Sequence, residues 1–527
     1  MNASAAALAV SARTQGGRRG HGDGGRVESV SLSEILAELS GAAVDGPTDR
    51  LIGDVQYDSR RVGAGDLFVA VRGEHRDGNA FATEALARGA SAVLSVSPRP
   101  AGTTQGTWIQ VKDERVAMAR AAAVLYRHPD RELPVVGITG TNGKTTTSYL
   151  LEAMLAAGGL RPGLLGTVVY RWGGIATRAA RTTPESADLQ RMLREMQMAG
   201  CGAAVLEVSS HALALARVEG VDFRVGVFTN LTQDHLDFHG TMAEYFAAKA
   251  ILFESLGPAA TAVLNADDPH SAELRKRTRA RVLTYGIEAE ADVRLLAATS
   301  DFSGSTATLR LRQDEATVHL ALPGRPNLWN LLAAAAAASA LDVPVSSMVA
   351  GVERVQGVPG RFERIVAGQE FEVIVDYAHS DDALTNVLRT VRSLGPARIV
   401  TVFGCGGDRD RSKRPRMGEA AAAGSDVVIL SSDNPRTEDP ERIADDAEAG
   451  VRRAQGRAPG TIEYHRCLDR RAAITMAIDL ARAGDAVVIA GKGHEDTQTI
   501  GGLAHSFDDR DICRVALGER LRRGRVG

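Results

Sequence analysis

The chain has 527 residues, more than one hydrophobic core can organise, and therefore predicts several domains. Lysine and arginine number 62 against 65 for aspartate and glutamate, a formal net charge of −3, so overall charge gives no basis for binding nucleic acid or an anionic membrane. The four cysteines are far apart without CxxC or Cys/His ligand spacing, and no apolar run is long enough to span a bilayer, so we expect a soluble protein of the reducing cytoplasm.

The N-terminal part of the chain predicts a leader and a small domain. Residues 1–26 are rich in Ala, Gly, Ser and Arg without periodicity, which is typical of disorder. Residues 27–131 contain the β-type runs "DLFVAV" and "SAVLSV" around a helical pattern, "FATEALARGA", and end in the helical "RVAMARAAAVLYRHP". We predict an α/β domain over residues 27–131.

Residues 132–355 predict a central α/β domain. It begins as a strand, "LPVVGI", a glycine loop and a helix, and the later runs "AAVLEV" and "RVGVFTN" are continuously apolar, as in a parallel sheet buried on both faces. Between residues 292 and 322, "TATLRLR" and "TVHLAL" alternate apolar and polar residues and predict an antiparallel edge. An alanine-rich helix follows, and "VQGVPGRFERI" marks a boundary near residue 356.

Residues 356–527 repeat the strand and helix alternation. The strand runs are "FEVIVDYAH", "ARIVTVFGCGG", "DVVILSSDNPR" and "DAVVIAGKGHED", with helical segments between them. They predict a second doubly wound, Rossmann-like domain.

The loop "GITGTNGKTTT" predicts a phosphate site although it departs from GxxxxGK[ST], because Ile138 stands where the first glycine belongs. Gly140 and Gly143 let backbone N–H groups close around phosphate oxygens, Lys144 brings a positive charge, and Thr145 offers a hydroxyl to Mg²⁺. A GTPase is the rival interpretation, but the chain has no NKxD motif that would read guanine. We therefore predict ATP.

Polar residues follow six of the predicted strands, at the sheet edge where open α/β folds bind ligands. They are Glu207 with Ser209–His211, Asn230–His235, Asp376 with His379, Arg409, Asp433–Arg436, and Lys492–Glu495. Six such loops in two domains favour a shared active site over ordinary turns.

At this point the motifs resemble those of a known family. "GTNGKTTT", "TTPES", "EVSSHAL", "FTNLTQDHLDFHG", "AAKAILF", "VPGRFE", "VDYAH", "GCGGDRDRSKRP", "SDNPRTEDP" and "AGKGHED" occur in the order found in the Mur ligases of peptidoglycan synthesis, and most resemble the MurE branch. The resemblance covers roughly residues 50–510. It implies three domains: an N-terminal domain for the UDP end of the substrate, a central P-loop-type ATPase domain, and a C-terminal domain for the incoming amino acid.

The resemblance implies roles for the nucleotide side of the site. Lys144, Glu207, His235 and Lys249 are implied in catalysis, and Thr145, Glu207, His235 and carbamylated Lys249 in holding Mg²⁺. The implied ATP contacts are Gly140, Thr141, Asn142, Gly143, Lys144, Thr145, Thr146, Asn330, Arg361 and Asp376. From the residues alone, Lys249 would be interpreted as a helix-surface lysine.

The resemblance also implies two substrate sites. UDP-N-acetylmuramoyl-L-alanyl-D-glutamate is implied to contact Ser59, Glu74, His75, Arg76, Thr182, Thr183, Ser209 and Arg217. Diaminopimelate is implied to contact Arg409, Asp433, Asn434, Pro435, Arg436, Gly491 and Glu495. The chain departs from the usual pattern at Arg181 and Leu215 among the contacts to the nucleotide peptide, and at Pro326 and Asp381 beside the matched residues Asn330 and Asp376 of the nucleotide site.

The implied activity is ATP-dependent formation of an amide bond to meso-diaminopimelate through an acyl-phosphate intermediate. Three alternatives stay open: the same reaction with LL-diaminopimelate or L-lysine, a ligase like folylpolyglutamate synthetase or another Mur ligase, and a nucleotide-gated binding protein without catalysis. We expect ATP and Mg²⁺ as cofactors, a monomer, and no nucleic-acid or membrane partner.

Overall fold

The computed structural model describes residues 28–73, 76–457 and 460–526. The predicted leader, residues 1–26, and the site residues Glu74 and His75 lie outside these ranges. Within them, none of the helices combines the length and the apolar content that a membrane crossing requires.

The N-terminal part contains a five-stranded sheet with the order β2-β7-β6-β5-β4, in which β4 to β7 are parallel and β2 is antiparallel. The strands of this part are β1 (Val30–Ser31), β2 (Ala43–Asp45), β3 (Leu51–Ile52), β4 (Val55–Gln56), β5 (Leu67–Val69), β6 (Ala92–Ser95) and β7 (Thr107–Gln110), of which β1 and β3 pair with each other in a separate two-stranded sheet. Its helices are α1 (Leu32–Ala37), α2 (Ala82–Ala87) and α3 (Glu114–Leu125), with 3₁₀ turns at Ser59–Arg61, Gly78–Phe81 and Pro129–Arg131.

The central part is built on an eleven-stranded sheet with the order β11-β10-β9-β12-β8-β13-β14-β15-β16-β17-β18. The strands are β8 (Val135–Thr139), β9 (Pro162–Leu165), β10 (Val169–Trp172), β11 (Ile175–Arg178), β12 (Ala203–Glu207), β13 (Phe223–Phe228), β14 (Thr261–Asn265), β15 (Arg281–Gly286), β16 (Val293–Asp301), β17 (Gly304–Leu311) and β18 (Asp314–Leu320). The helices are α4 (Lys144–Ala157), α5 (Ser186–Met198), α6 (Ser210–Ala214), α7 (Leu236–His239), α8 (Met242–Glu254), α9 (Ser271–Arg277), α10 (Arg325–Ala340) and α11 (Val345–Val352).

The pairing within the central sheet follows the sequence patterns. Strands β9, β12, β8, β13, β14, β15 and β16 are parallel, and the continuously apolar runs are buried. The alternation between residues 292 and 322 forms the antiparallel edge β16-β17-β18, as predicted. The alanine-rich segment is helix α10, whose small side chains let it lie against the sheet, and Pro326 fits because it stands in the first turn, where no N–H bond is lost.

The C-terminal part contains a six-stranded sheet with the order β19-β20-β24-β21-β22-β23, parallel except for β19. Its strands are β19 (Glu363–Arg364), β20 (Glu372–Asp376), β21 (Ile399–Phe403), β22 (Val427–Leu430), β23 (Glu463–Arg466) and β24 (Ala486–Ala490), with a hairpin of β25 (Thr497–Ile500) and β26 (Leu503–Ser506). Its helices are α12 (Asp381–Ser393), α13 (Lys413–Gly424), α14 (Pro440–Arg457), α15 (Arg470–Leu480) and α16 (Asp509–Val526).

Each of these three sheets draws its strands from one of the segments 27–131, 132–355 and 356–527, although those limits themselves stay predictions. The C-terminal sheet has helices on both faces, because α12, α13 and α14 pack with one core cluster and α15 and α16 with another. The predicted three-part α/β architecture with a second doubly wound sheet is confirmed.

Candidate active site

The loop between β8 and α4 leaves no room for side chains at its glycines. Gly140 has φ +149° and Gly143 φ +89°, conformations that L-residues rarely adopt. A Cβ atom would lie 1.8 Å from Thr229 Oγ1 at Gly140 and 2.3 Å from Asn330 Oδ1 at Gly143. The loop backbone is therefore held in a strained, close-packed path that glycine alone tolerates.

The same loop is fastened to the segment that follows β13. Thr141 donates its N–H to the Asn230 carbonyl at 2.9 Å, and Asn142 donates its N–H to Asn230 Oδ1 at 3.0 Å. Thr141 Oγ1 donates to the Thr232 carbonyl at 3.1 Å. These bonds fix the orientation of the loop before any ligand binds, which is the preorganisation that a phosphate site needs.

Lys144 opens helix α4 and folds its side chain back over the loop. Its Nζ donates to the carbonyls of Gly140 and Thr141, both at 2.9 Å. Burial lowers the pKa of Lys144, and the Glu207 carboxylate partly opposes that change. No side chain caps the helix at Gly143, so its first N–H groups and its positive dipole end are directed at the loop.

Glu207 ends β12 beside the loop, because β12 pairs with β8 and sets Glu207 opposite Ile138. It is fully buried and accepts from Thr145 Oγ1 at 3.0 Å, from Thr167 Oγ1 at 2.8 Å and from the Thr167 N–H at 3.0 Å. Thr167 was not among the predicted residues, although it follows the carboxyl end of β9, which is the position that strand-end reasoning inspects. The carboxylate and the Thr145 hydroxyl form an oxygen-rich corner.

Arg361, from the C-terminal part, brings its guanidinium to the loop between β8 and α4, which is the predicted nucleotide loop. Its Nη2 donates to Thr145 Oγ1 at 3.1 Å, and its Cζ lies 4.7 Å from the centre of the Tyr377 ring. Its Nε is buried and has no hydrogen-bond partner. A guanidinium with an unused buried donor next to Lys144 suits a phosphate oxygen.

Asp376 and Asn330 take part in protein contacts near this loop. Asp376 accepts the N–H groups of Phe362 at 2.7 Å and Ala378 at 2.8 Å, and burial raises its pKa against the opposing charge of Arg361. Asn330 Oδ1 accepts from Thr147 Oγ1 at 3.4 Å. Thr146 is buried in the first turn of α4.

Helix α8 carries Lys249 into the site rather than to solvent. It begins with a capping box of Thr241 and Glu244, which sets the helix so that Tyr245 and Lys249 share one face. Lys249 is 1% exposed, and its Nζ lies 4.3 Å from the centre of the Tyr245 ring. Burial lowers its pKa well below the ordinary lysine value, and the nearby Lys144 charge lowers it further.

His235 lies near the same tyrosine. Its ring centre lies 6.1 Å from that of Tyr245 and 4.9 Å from that of His211, and Tyr245 OH is 3.2 Å from Thr141 Oγ1. Burial lowers the pKa of His235 to about 3 although Asp234 opposes it, so the imidazole is neutral at physiological pH. A neutral imidazole has a lone pair for a metal.

The predicted metal residues fit an ion that takes some of its ligands from the bound substrate. In the described ranges, no group of three His, Cys, Asp or Glu side chains could hold a metal by itself. Mg²⁺ is usually bound by one or two carboxylates together with phosphate oxygens and water. Buried Glu207 and the Thr145 hydroxyl offer oxygen ligands to Mg²⁺, and the unpaired Nε–H of Arg361 offers a donor to a phosphate oxygen. These residues therefore fit Mg²⁺ that is bound together with nucleotide phosphates.

A single cavity of about 1550 Å³ opens between the three parts of the chain. Of the residues predicted for the substrates, it is lined by Ser59, Arg76, Thr182, Thr183, Ser209, Arg217, Arg409, Asp433, Asn434, Arg436, Gly491 and Glu495. His235 also lines it. The structure therefore brings the two predicted substrate sets together, while Pro435 is not part of the lining.

On the central side of the cavity, a short network links the substrate residues to Glu207. Thr183 Oγ1 donates to the Glu207 carbonyl at 2.8 Å and accepts the Ser209 N–H at 3.1 Å. Arg217 Nη1 donates to the Thr183 carbonyl at 3.3 Å. Thr182 Oγ1 lies 3.2 Å from Thr167 Oγ1.

Three guanidinium groups surround one buried carboxylate at the cavity wall. Glu185 pairs with Arg115 at 3.4 Å and with Arg181 and Arg217 at 2.9 Å each. The unusual Arg181 is thus accommodated by an ion pair with a residue four positions later in the chain, and Leu215, the other departure in this region, also lines the cavity. Three cations around one anion leave this wall positively charged.

On the C-terminal side, the loops after β22 and β24 meet. Asn434 Nδ2 donates to Glu495 Oε2 at 2.9 Å, and Arg436 Nη1 donates to the Gly407 carbonyl at 2.5 Å. Arg436 has φ +54° and its N–H donates to the Thr499 carbonyl at 2.9 Å. Arg409 is exposed at the rim.

Two further contacts join the C-terminal part to the nucleotide loop and to the segment after β13, and sequence reasoning missed both. Asp382 Oδ2 accepts from Asn142 Nδ2 and from Thr232 Oγ1, both at 2.9 Å. Lys413 Nζ pairs with Asp234 Oδ1 at 2.6 Å. Both contacts join segments that are far apart in the chain, and a local sequence pattern does not predict such contacts.

Comparison with known proteins agrees with this geometry. Family models match at residues 52–130 (Mur ligase family, catalytic domain), 138–338 (Mur ligase middle domain) and 360–493 (Mur ligase, glutamate ligase domain). The chain belongs to the Mur ligase family.

Its relatives within the family include proteins named UDP-N-acetylmuramoyl-L-alanyl-D-glutamate–2,6-diaminopimelate ligase. The chain is 47% identical to one from Solibacter usitatus over 93% of this chain and 97% of the relative, and 46% identical to one from Geobacter metallireducens over 94% and 100%. A solved structure of a ligase with that name is 36% identical, covers 94% of this chain and 99% of its own, and superposes with a TM-score of 0.66. MurF from Thermotoga maritima in complex with ADP shares the fold at 20% identity, with 89% of this chain and 98% of its own covered and a TM-score of 0.60.

Proposed function

We propose that this protein is the ATP-dependent ligase that joins meso-diaminopimelate to UDP-N-acetylmuramoyl-L-alanyl-D-glutamate during peptidoglycan precursor synthesis. One observation carries the proposal: a single cavity holds Thr183, Ser209 and Arg217 on the central side and Arg436 and Glu495 on the C-terminal side. A carboxylate held by the first group and an amine held by the second would meet inside it. The named relatives support the same substrates.

The nucleotide half of the reaction rests on the loop before α4. When bound, ATP with Mg²⁺ would supply the phosphoryl group that converts the D-glutamyl carboxylate into an acyl phosphate, a better leaving group than hydroxide. Lys144 and Arg361 neutralise the negative charge that collects on the phosphates, and Gly140 and Gly143 let the backbone approach them. Asn330, which accepts from Thr147 of α4, and Asp376, which accepts from Phe362 next to Arg361, are the further nucleotide contacts of this proposal.

Lys249 supports the carbamylation that the family resemblance implies. A lysine must be neutral to attack CO₂, and burial favours the neutral amine of Lys249. The carbamate would convert a cation into an anion, and together with Glu207 and His235 it would hold Mg²⁺, which would supply positive charge for the reaction. Lys249 and His235 both lie near the Tyr245 ring, and the Tyr245 hydroxyl contacts Thr141 of the nucleotide loop.

The two sides of the cavity that are proposed to hold the two substrates differ in the charged groups they present. The positive wall formed by Arg115, Arg181 and Arg217 around Glu185 suits the anionic nucleotide peptide. Ser59 and Arg76 extend that wall into the N-terminal part. Across the cavity, Arg436 offers a planar guanidinium to the second carboxylate of diaminopimelate, and Glu495 offers an acceptor to its distal ammonium.

The amine of the diamino acid attacks the activated carbonyl carbon, a new C–N bond forms, and inorganic phosphate leaves. The side chains orient both partners and exclude water, so that the acyl phosphate reacts with the amine and is not hydrolysed. One chain supplies all of the groups named here, and we therefore predict a monomer. All four cysteines are free, which is consistent with a reducing cytoplasm.

Phosphate release tests the proposal. Purified protein with ATP, Mg²⁺ and UDP-N-acetylmuramoyl-L-alanyl-D-glutamate is supplied in turn with meso-diaminopimelate, LL-diaminopimelate and L-lysine. We expect release that depends on the meso isomer, and a Lys276→Ala variant, altered at an exposed lysine, serves as the unaffected control. Preference for the LL isomer or for lysine would contradict the assignment of the diamino acid, and no release with any of them would favour a binding protein.

A further inference from the structure

Lys492 lies behind the wall of the cavity and joins two of its loops. It follows β24 and is 0% exposed. Its Nζ is 3.1 Å from Asn434 Oδ1, 3.3 Å from Glu495 Oε2 and 3.6 Å from Asp433 Oδ1. Those three neighbours line the cavity, whereas Lys492 itself does not. The ammonium therefore contacts the loop after β22 and the loop after β24 from the protein side.

The charges around Lys492 make it the counter-ion of the acidic groups in this wall. Asp433 and Glu495 bring two carboxylates within 4 Å of a single ammonium. The neighbouring cation Arg470 is also fully buried, but it is engaged by Asp509 at 2.7 Å and 2.8 Å. A buried ammonium is costly unless it is paired and hydrogen-bonded, so its presence here points to a requirement for fixed carboxylates.

Lys492 also determines how the Asn434 amide is turned. Asn434 Oδ1 accepts from Lys492 Nζ and from the Thr499 N–H at 3.0 Å. The amide nitrogen must then point the other way, and it donates to Glu495 Oε2 at 2.9 Å. Both bonds to Glu495 use Oε2, which leaves Oε1 to accept a hydrogen bond from a ligand cation.

We propose that Lys492 is a positioning residue for the diamino acid: it locks Asp433, Asn434 and Glu495 into one arrangement, so that Glu495 meets the distal ammonium of the substrate. The inference rests on the proposed ligase function and deepens it. Lys492 does not contact the substrate, so its removal should weaken recognition of the distal centre while the nucleotide site and the nucleotide-peptide site keep their geometry.

The test compares wild type with Lys492→Met and Lys492→Arg. Each is assayed for phosphate release with meso-diaminopimelate and with 2-aminopimelate, which has the same chain and both carboxylates but no distal amine. Loss of one charge-assisted network predicts a rise of about tenfold or more in KM for diaminopimelate in Lys492→Met. The preference for diaminopimelate over 2-aminopimelate should fall by a similar factor, whereas KM for ATP and for the nucleotide peptide stays within about twofold of wild type.

The controls separate positioning from general destabilisation. Arg398→Met removes another ion pair of the C-terminal sheet, to Asp485 at 2.7 Å, outside the cavity lining, and should lower the melting temperature without changing the preference between the two amino acids. Lys492→Arg keeps a cation and should recover part of the preference. If Lys492→Met does not fold, Lys492→Gln, which keeps a donor without the charge, enters the same comparison.

Two results would overturn the inference: a folded Lys492→Met or Lys492→Gln variant with unchanged preference, or a parallel rise in KM for all three substrates. Failure of the proposed function is a distinct result, since wild type itself would then release no phosphate in response to diaminopimelate.

Discussion

Arg436 provides the sharpest test of how the diamino acid is recognised. Its side chain reaches the cavity from a left-handed backbone position, φ +54°, held by the bond from its N–H to the Thr499 carbonyl. Arg436→Ala removes the guanidinium and the bond from Nη1 to the Gly407 carbonyl. The backbone bond is independent of the side chain, so the loop should keep its path in the variant.

The size of the expected effect on kcat/KM follows from the loss of the proposed hydrogen bond between the Arg436 guanidinium and the second carboxylate of diaminopimelate. A hydrogen bond to a charged group contributes about 1.5–3 kcal/mol, which corresponds to a fall of roughly 10-fold to 150-fold in kcat/KM for meso-diaminopimelate. L-lysine has no second carboxylate, so the preference for diaminopimelate over lysine should fall by the same factor. KM for UDP-N-acetylmuramoyl-L-alanyl-D-glutamate should stay nearly unchanged, because Thr183, Ser209 and Arg217 lie on the opposite wall.

The assay is phosphate release with one substrate varied at a time. Arg436→Lys keeps the charge but not the planar fork, and we expect an intermediate loss. Arg442→Ala, at a side chain that is 80% exposed on α14, is the matched control and should behave as wild type. Equal rises in KM for both substrates, or an unchanged ratio of diaminopimelate to lysine, would refute this account of Arg436.

Three further predictions follow from single contacts. Lys249→Ala should lose more than about tenfold in activity, with partial recovery on adding short-chain carboxylates or bicarbonate, and an unaffected variant would remove carbamylation from the account. Gly140→Ala should lower the unfolding free energy measured in urea by about 1–3 kcal/mol or more, because the new Cβ meets backbone and hydroxyl atoms. Gly257→Ala is the control and should be nearly neutral, because its Cβ meets nothing within 4 Å. Similar losses in the two variants would contradict this reasoning. Burial raises the pKa of Asp234, but neighbouring cations including Lys413 bring it well below its usual value. The stability that Lys413 confers through Asp234 should therefore be complete above about pH 4 and decrease only as the pH falls further. The measurement is the difference in unfolding free energy in urea between wild type and Lys413→Met, and a difference that changes between about pH 5 and 8 would count against the prediction.

The sequence was informative wherever a local pattern carries the structure. The apolar runs before Glu207, Asp376 and Asp433 predicted the strands, and these polar residues lie at the carboxyl ends of strands in the central and C-terminal sheets, as expected. Parallel pairing alone puts Glu207 beside the nucleotide loop, because β12 is a neighbour of β8. For such residues the step from sequence to site needs only the geometry of an open sheet.

Other site residues depend on packing between distant segments. Lys249 has the sequence context of a surface lysine, and it is buried because α8 turns the face that carries Tyr245 and Lys249 toward the nucleotide loop. Lys492 was noticed in a strand-end loop but not as a site residue, since its partners Asp433 and Asn434 are about sixty residues away in sequence. Intrinsic propensity says nothing about such pairs, and their identification required the tertiary structure.

The contacts between the central and C-terminal parts explain why activation and amine capture can occur in one place. Arg361 reaches Thr145, and Asp382 reaches Asn142, so two side chains of the C-terminal part contact the loop that is proposed to hold the phosphates. The same part carries the groups proposed for the amine. These contacts set the position of the groups proposed for the amine relative to the loop proposed to hold the phosphates, and positioning of the two reacting groups is what an amide-forming reaction needs. The position of the C-terminal part is thus as much a determinant of the reaction as any single catalytic side chain.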